Sequence, residues 1–134
     1  MTLRKALHAR GCRYRVNVKG LPGTPDLVFS ARRAVIFVHG CYWHGHDCPK
    51  GILPGTNTEF WEKKIEQTRL RDAAAEIVLQ SEGWRVLKVW ECALRGRAKL
   101  KLDTVTDEVL SWLAQSSSLH EIKGNWAASG NLES

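Results

Sequence analysis

Apolar and polar positions along the chain fall into blocks of two distinct periods. Leu3 and Leu7 stand four apart with Ala6 between them and Gly11 behind, which predicts a short amphipathic helix over 3–10 stopped by glycine. Arg13-Tyr14-Arg15-Val16-Asn17-Val18 alternates polar and apolar side chains and reads as a half-buried or edge strand. Leu21-Pro22-Gly23-Thr24-Pro25 is a turn. Two runs after it, 26–30 and 34–39, are apolar enough for central strands, joined by the basic corner Arg32-Arg33. Gly40 to Asn57 is long and irregular, and such a segment in a small domain is usually functional or held by something other than a core. Thr58 is placed to cap a long helix running to about Glu82 and closed by Gly83, with Trp61/Ile65 and Ala73/Ile77 as neighbours on it. Trp84 to Trp90 is another strand. Asp103 or Thr104 opens a last helix carrying Val105, Val109, Leu110 and Leu113. No internal repeat is present.

The order helix, three strands, helix, strand, helix predicts an α/β fold built on one mixed sheet flanked by helices, its first three strands an antiparallel meander. One domain is expected over 1–115. From Ser116 three consecutive serines lead into a polar tail, 116–134, expected to be poorly ordered. The first helix enters with no N-cap ahead of it, which suggests that further residues belong upstream of Met1.

At 134 residues the chain is long enough for one self-sufficient core. A net charge of +6 favours a polyanionic partner without naming it. No apolar run reaches the ~18 residues of a membrane span and no signal-peptide core follows Met1, so membrane and secreted classes are set aside and a cytoplasmic location is expected. In that reducing setting clustered cysteines point to metal or catalysis rather than disulfides.

Cys41, His46 and Cys48 lie within one loop, and Cys92 follows the strand 84–90. Three thiolates and an imidazole supply the four soft ligands of a tetrahedral, structural Zn²⁺ site with no position left for catalytic water. The plainer alternative is a set of ordinary reduced thiols, as Cys12 is taken to be. Asp47 is read as a solvated side chain between two better ligands. Asp26, after Pro25 at the head of an apolar strand, suits a hard cation such as Mg²⁺, against the alternative of a turn aspartate. His39 ends the next strand and His44 opens the loop, two imidazoles able to carry protons near neutrality. Tyr42, Trp43 and Trp61 are rings on or beside that loop, poor core material and good wedges for unstacking bases. Trp84, Trp90 and Trp112 are assigned to the core.

The string from Val35 to Cys48, the lead-in Leu21-Pro22-Gly23-Thr24-Pro25-Asp26, Thr58-Glu59-Phe60-Trp61 and the run from Gly83 to Gly96 together resemble the very short patch repair endonucleases, over roughly residues 3–113. The resemblance implies a restriction-endonuclease-like core, with Phe37-Val38-His39 where the common PD-(D/E)-x-K pattern has its acidic residue and lysine. It implies a bacterial strand-nicking DNA mismatch endonuclease that cuts 5′ to the thymine of a T:G mispair left by deaminated 5-methylcytosine. Carried over, Asp26 with the main-chain carbonyl of Val38 matches the Mg²⁺ site, and His44 the general base. His39 matches a second catalytic histidine, while Cys41, His46, Cys48 and Cys92 match the structural zinc ligands. Tyr42, Trp43 and Trp61 match the aromatic wedge, Tyr42 standing where Phe is more usual. The expected partner is double-stranded DNA with a T:G mismatch, bound by a monomer, with docking by mismatch-repair proteins left open. The family's DNA-wrapping arm and its helix-borne glutamate match positions before Met1. That departure keeps a second function open, a zinc-stabilised protein that binds distorted DNA without cutting. A restriction-type nuclease with another target is the third.

Overall fold

The computed structural model describes residues 2–16, 18–41, 58–95, 98–115 and 117–125. In chain order these form α1 (Thr2–Ala9), β1 (Arg15–Val16), β2 (Leu27–Phe29), β3 (Ala34–His39), α2 (Thr58–Ser81), β4 (Arg85–Trp90), α3 (Glu91–Leu94), α4 (Leu102–Ala114) and β5 (Leu119–Ile122). The five strands lie side by side in the order of the chain. β1–β2 and β2–β3 are antiparallel, as the meander predicts, and β3–β4 and β4–β5 are parallel.

Strand alternation sorts side chains onto two faces. Leu27, Phe29, Ile36, Leu87 and Val89 pack with Leu3 and Leu7 of α1 and with Val105, Val109 and Trp112 of α4. Val28, Val35, Phe37, Trp84 and Val86 pack with Leu79 of α2 on the other face. The result is an α/β sandwich with a mixed sheet between two helical layers, in agreement with the coarse expectation. Trp84, Trp90 and Trp112 are buried as expected. α1 stops where Gly11 takes φ +84°, and α2 where Gly83 takes φ +87°, backbone that glycine adopts without steric penalty.

Trp61/Ile65 and Ala73/Ile77 fall four apart along α2 as expected, and the helix buries Ile65 and Leu79 while leaving Ile77 66% exposed. Two expectations need correction. β1 is an edge strand, one of the two readings of 13–18, but it pairs over only two residues and is exposed, because an edge strand with solvent on one side has little burial to extend it. The tail expected to begin at Ser116 holds β5, paired to β4 from Val86↔Leu119 to Val89↔Ile122. What secures it is not local apolarity. Ile122 is buried, and Lys88 reaches both Glu121 on β5 and Glu76 on α2 at 3.1 Å. Arg85 lies over the Trp112 ring at 4.4 Å and donates to the carbonyls of Trp112, Leu113 and Ser117, fastening the end of α4 and the link to β5. Residues 126–134, with Trp126, lie outside the described residues.

Candidate active site

The candidate site is built where β2 begins and β3 ends. Asp26 extends the β2–β3 ladder by one bond, its N–H donating to the Ile36 carbonyl at 3.0 Å. Its carboxylate Oδ2 accepts the Val38 N–H at 2.7 Å, a short, charge-assisted bond that fixes the carboxylate beside the strand end. Residues far apart in the chain are thus brought together by hairpin register. By strand alternation Asp26 and His39 share the face covered by α2. The His39 side chain is buried, its ring 5.6 Å from Phe37 and 5.2 Å edge-on from Trp90, its register partner on β4. Asp72, Glu76 and Lys88 line a small recess with His39 on that face.

Lys88 is held in its charged form in this recess. Burial pulls its ammonium pKa down, but hydrogen bonds to Glu121 and Glu76 outweigh this and hold it above the ordinary lysine value.

Cys41 and Cys92 are fully buried and pack with Trp90 in one cluster just past the ends of β3 and β4. The Gly124 N–H donates to Cys92 Sγ at 3.2 Å. A Cβ on Gly124 would sit 2.5 Å from the Cys92 carbonyl oxygen, so only glycine fits this approach. Soft sulfur donors gathered at a buried strand end are a donor set that suits zinc. Among the described residues no group of three metal-ligating side chains comes together. His46 and Cys48, like His44, Tyr42 and Trp43, lie outside the described residues. Cys12 packs against the main core away from this cluster, its thiol pKa pushed up by burial and eased back by Arg32 and Arg10.

Trp61 stands half-buried in the first turn of α2, edge-on to Phe60 at 5.0 Å. Phe60 is itself 56% exposed, which extends the ring surface beyond the wedge residues read from the sequence. A larger cleft of about 870 Å³ opens at the ends of β3 and β4. Val38, His39 and Gly40 line it on one side and Glu91 and Arg95 on another, with Lys99, Leu100, Lys101 and Leu102 running along it. Sequence reading passed over its basic residues, although the alternation Lys99-Leu100-Lys101-Leu102 was a visible signal of an extended segment with one polar side.

Comparison with known proteins adds independent support for the resemblance. Residues 1–50 match the family model described as DNA mismatch endonuclease Vsr. The type II nicking enzyme V.XorIIP of Xanthomonas oryzae pv. oryzae is 49% identical over 107 residues, which is 78% of this chain and 79% of that protein. The DNA mismatch endonuclease Vsr of Escherichia coli is 47% identical over 111 residues, 83% of this chain and 71% of that protein. V.NmeAIP of Neisseria meningitidis, another type II nicking enzyme, is 46% identical over 96 residues, 72% and 69% of the two chains. Identity of this order across most of both partners, on a chain whose sheet brings Asp26 to Val38 and gathers Cys41 with Cys92, makes this protein a member of the Vsr family of DNA mismatch endonucleases.

Proposed function

We propose that this protein is a DNA endonuclease that nicks one strand of a duplex 5′ to the thymine of a T:G mispair, with Mg²⁺ held at Asp26. The observation that carries the reading is the 2.7 Å bond from the Val38 N–H to the Asp26 carboxylate, next to His39. It fixes an acidic oxygen beside a strand end, and the family resemblance supplies the Val38 carbonyl as the second oxygen ligand. One carboxylate and one carbonyl suit Mg²⁺, which keeps several waters and completes its shell with substrate phosphate. Bound there, the metal would supply positive charge to the phosphoryl oxygens as the attack develops. Asp26 and Val38 hold and orient that site. His44 takes the proton of the attacking water, and His39, buried against Trp90, presents an imidazole to the phosphate from a fixed direction. Cys41 and Cys92, with His46 and Cys48, hold a structural Zn²⁺ that ties the loop to the sheet. The enzyme acts as a cytoplasmic monomer, and mismatch-repair proteins are candidate partners.

An end-labelled duplex carrying a single T:G mispair tests this. The parent protein with Mg²⁺ should give one nick in the thymine strand and leave the T:A duplex intact, and EDTA should stop it. Asp26→Asn keeps an oxygen acceptor for the Val38 N–H. It should lower the nicking rate by at least about 100-fold while still binding the duplex. Binding without cutting by the parent would favour the non-cutting DNA-binding alternative.

A further inference from the structure

The cleft at the ends of β3 and β4 carries more than the proposed reaction uses. Arg95, Lys99 and Lys101 line it, all three exposed, and none forms an ion pair among the described residues. Arg10, Lys88 and His120, by contrast, each meet a carboxylate. Among the described residues Glu91 is the one carboxylate on the lining, so these residues give the cleft an excess of positive charge next to Val38 and His39. Its apolar part is supplied by Leu3, Leu94, Leu100 and Leu102.

The local backbone explains why the cations gather here. His39 and Trp90 are register partners, so α3 starts level with the end of β3, and Arg95 follows one helical turn after Glu91. Leu100 is pinned by its N–H to the Ala93 carbonyl at 2.9 Å and packs against the core. That leaves Lys99 and Lys101 exposed on either side of it. Two residues of extended chain advance about 7 Å, a step comparable with the repeat of phosphates along one strand.

We propose that Arg95, Lys99 and Lys101 are positioning residues that hold successive backbone phosphates of the strand presented to Asp26 and His39, with the leucines against its sugars. This rests on the nuclease reading above and names how the same site grips its substrate. A row of cations over an apolar surface suits a sugar–phosphate chain, whereas a free anion would gain nothing from the leucines.

The test compares Arg95→Ala/Lys99→Ala/Lys101→Ala with Arg13→Ala/Arg15→Ala/Lys19→Ala, which removes the same charge from exposed positions around β1. Duplex affinity is measured across a salt series, together with single-turnover nicking at saturating DNA. Each phosphate contact contributes about 0.9 to the log–log salt slope. The cleft variant should therefore lose about 2–3 from that slope and bind on the order of 10–100-fold more weakly at low salt. The β1 variant should change little. Lys99→Arg/Lys101→Arg should keep the parent slope, and all four proteins should melt within a few degrees of each other.

Equal slopes for the cleft and β1 variants, with nicking intact, would overturn the grip and leave the nuclease reading standing. A parent that never nicks but shows the cleft-dependent slope would keep the grip and remove the nuclease reading. Displacement of DNA by millimolar inorganic phosphate through these three residues would mark a small-anion site and overturn the proposal as well.

Discussion

A main-chain donor ties the acidic group of the candidate site to the sheet. The Val38 N–H holds Oδ2 of Asp26 at 2.7 Å, beside the end of β3. This pairing was not legible from spacing, because a Pro-Asp step before a strand is equally a turn residue. Only the β2–β3 register, or the family resemblance, joins the two. The aromatic residues raise a different question at the same scale. Ring insertion costs a few kcal/mol of unstacking per step, least where pairing is already poor, and stacking returns about 1–3 kcal/mol per ring. Trp43→Ala and Trp61→Ala should each erode the preference for T:G over T:A duplexes by roughly 5–50-fold, leaving salt-dependent non-specific binding nearly unchanged. Binding ratios on the two duplexes, read beside melting temperatures, check this. A variant that melts normally with full mismatch preference would remove that ring from the wedge.

At the scale of elements, the sequence spoke clearly for the interior and poorly for the rims. β3 is a six-residue run buried on both faces, and β4 is a second one interrupted only by the half-buried Arg85 and Lys88, so both are plain in the sequence. β5 buries only Ile122 among its four residues and leaves Leu119 41% exposed. Its place depends on charge pairing across three elements, which no local pattern reveals. Lys88 is the centre of that pairing, its side chain only 19% exposed. Lys88→Met would leave Glu76 and Glu121 facing each other without their cation. A loss of about 1–3 kcal/mol is expected at neutral pH, less than for a fully buried pair because the carboxylates keep some solvent. The pH dependence follows from the raised folded pKa. The lysine's contribution is complete below about pH 10.4, where the unfolded side chain titrates, and is lost as pH rises through the higher folded value. Urea unfolding of both proteins at pH 7 and pH 11 should show the gap narrowing at the higher pH, and an equal gap would assign it to packing.

On the scale of the whole molecule, Cys41, just past β3, and Cys92, in α3 just past β4, meet at one buried point with Trp90. Zinc there would close a long stretch of chain that includes all of α2, so its removal should be felt by the entire fold. Native mass spectrometry should find one zinc per chain. Chelation or Cys92→Ser should lower stability by more than about 3 kcal/mol, and added Mg²⁺ should not restore it. Folded, metal-free protein of undiminished stability would count against the site.

The lateral order of the sheet, which simply follows the chain, has a consequence for any copy cut short. Among the described residues β5 is both the last strand and the only cover for one edge of β4. A chain stopped at Ser117 would present the open backbone of β4, with Val86, Leu87 and Val89 wholly apolar along it, as a template for a neighbouring molecule. Nothing on β4 itself discourages such pairing except Arg85 and Lys88, since it contains neither proline nor bulge. Premature termination just before β5 should thus be read out as concentration-dependent aggregation in light scattering rather than as a soluble, weaker enzyme, and the last strand serves as much to keep molecules apart as to hold one together.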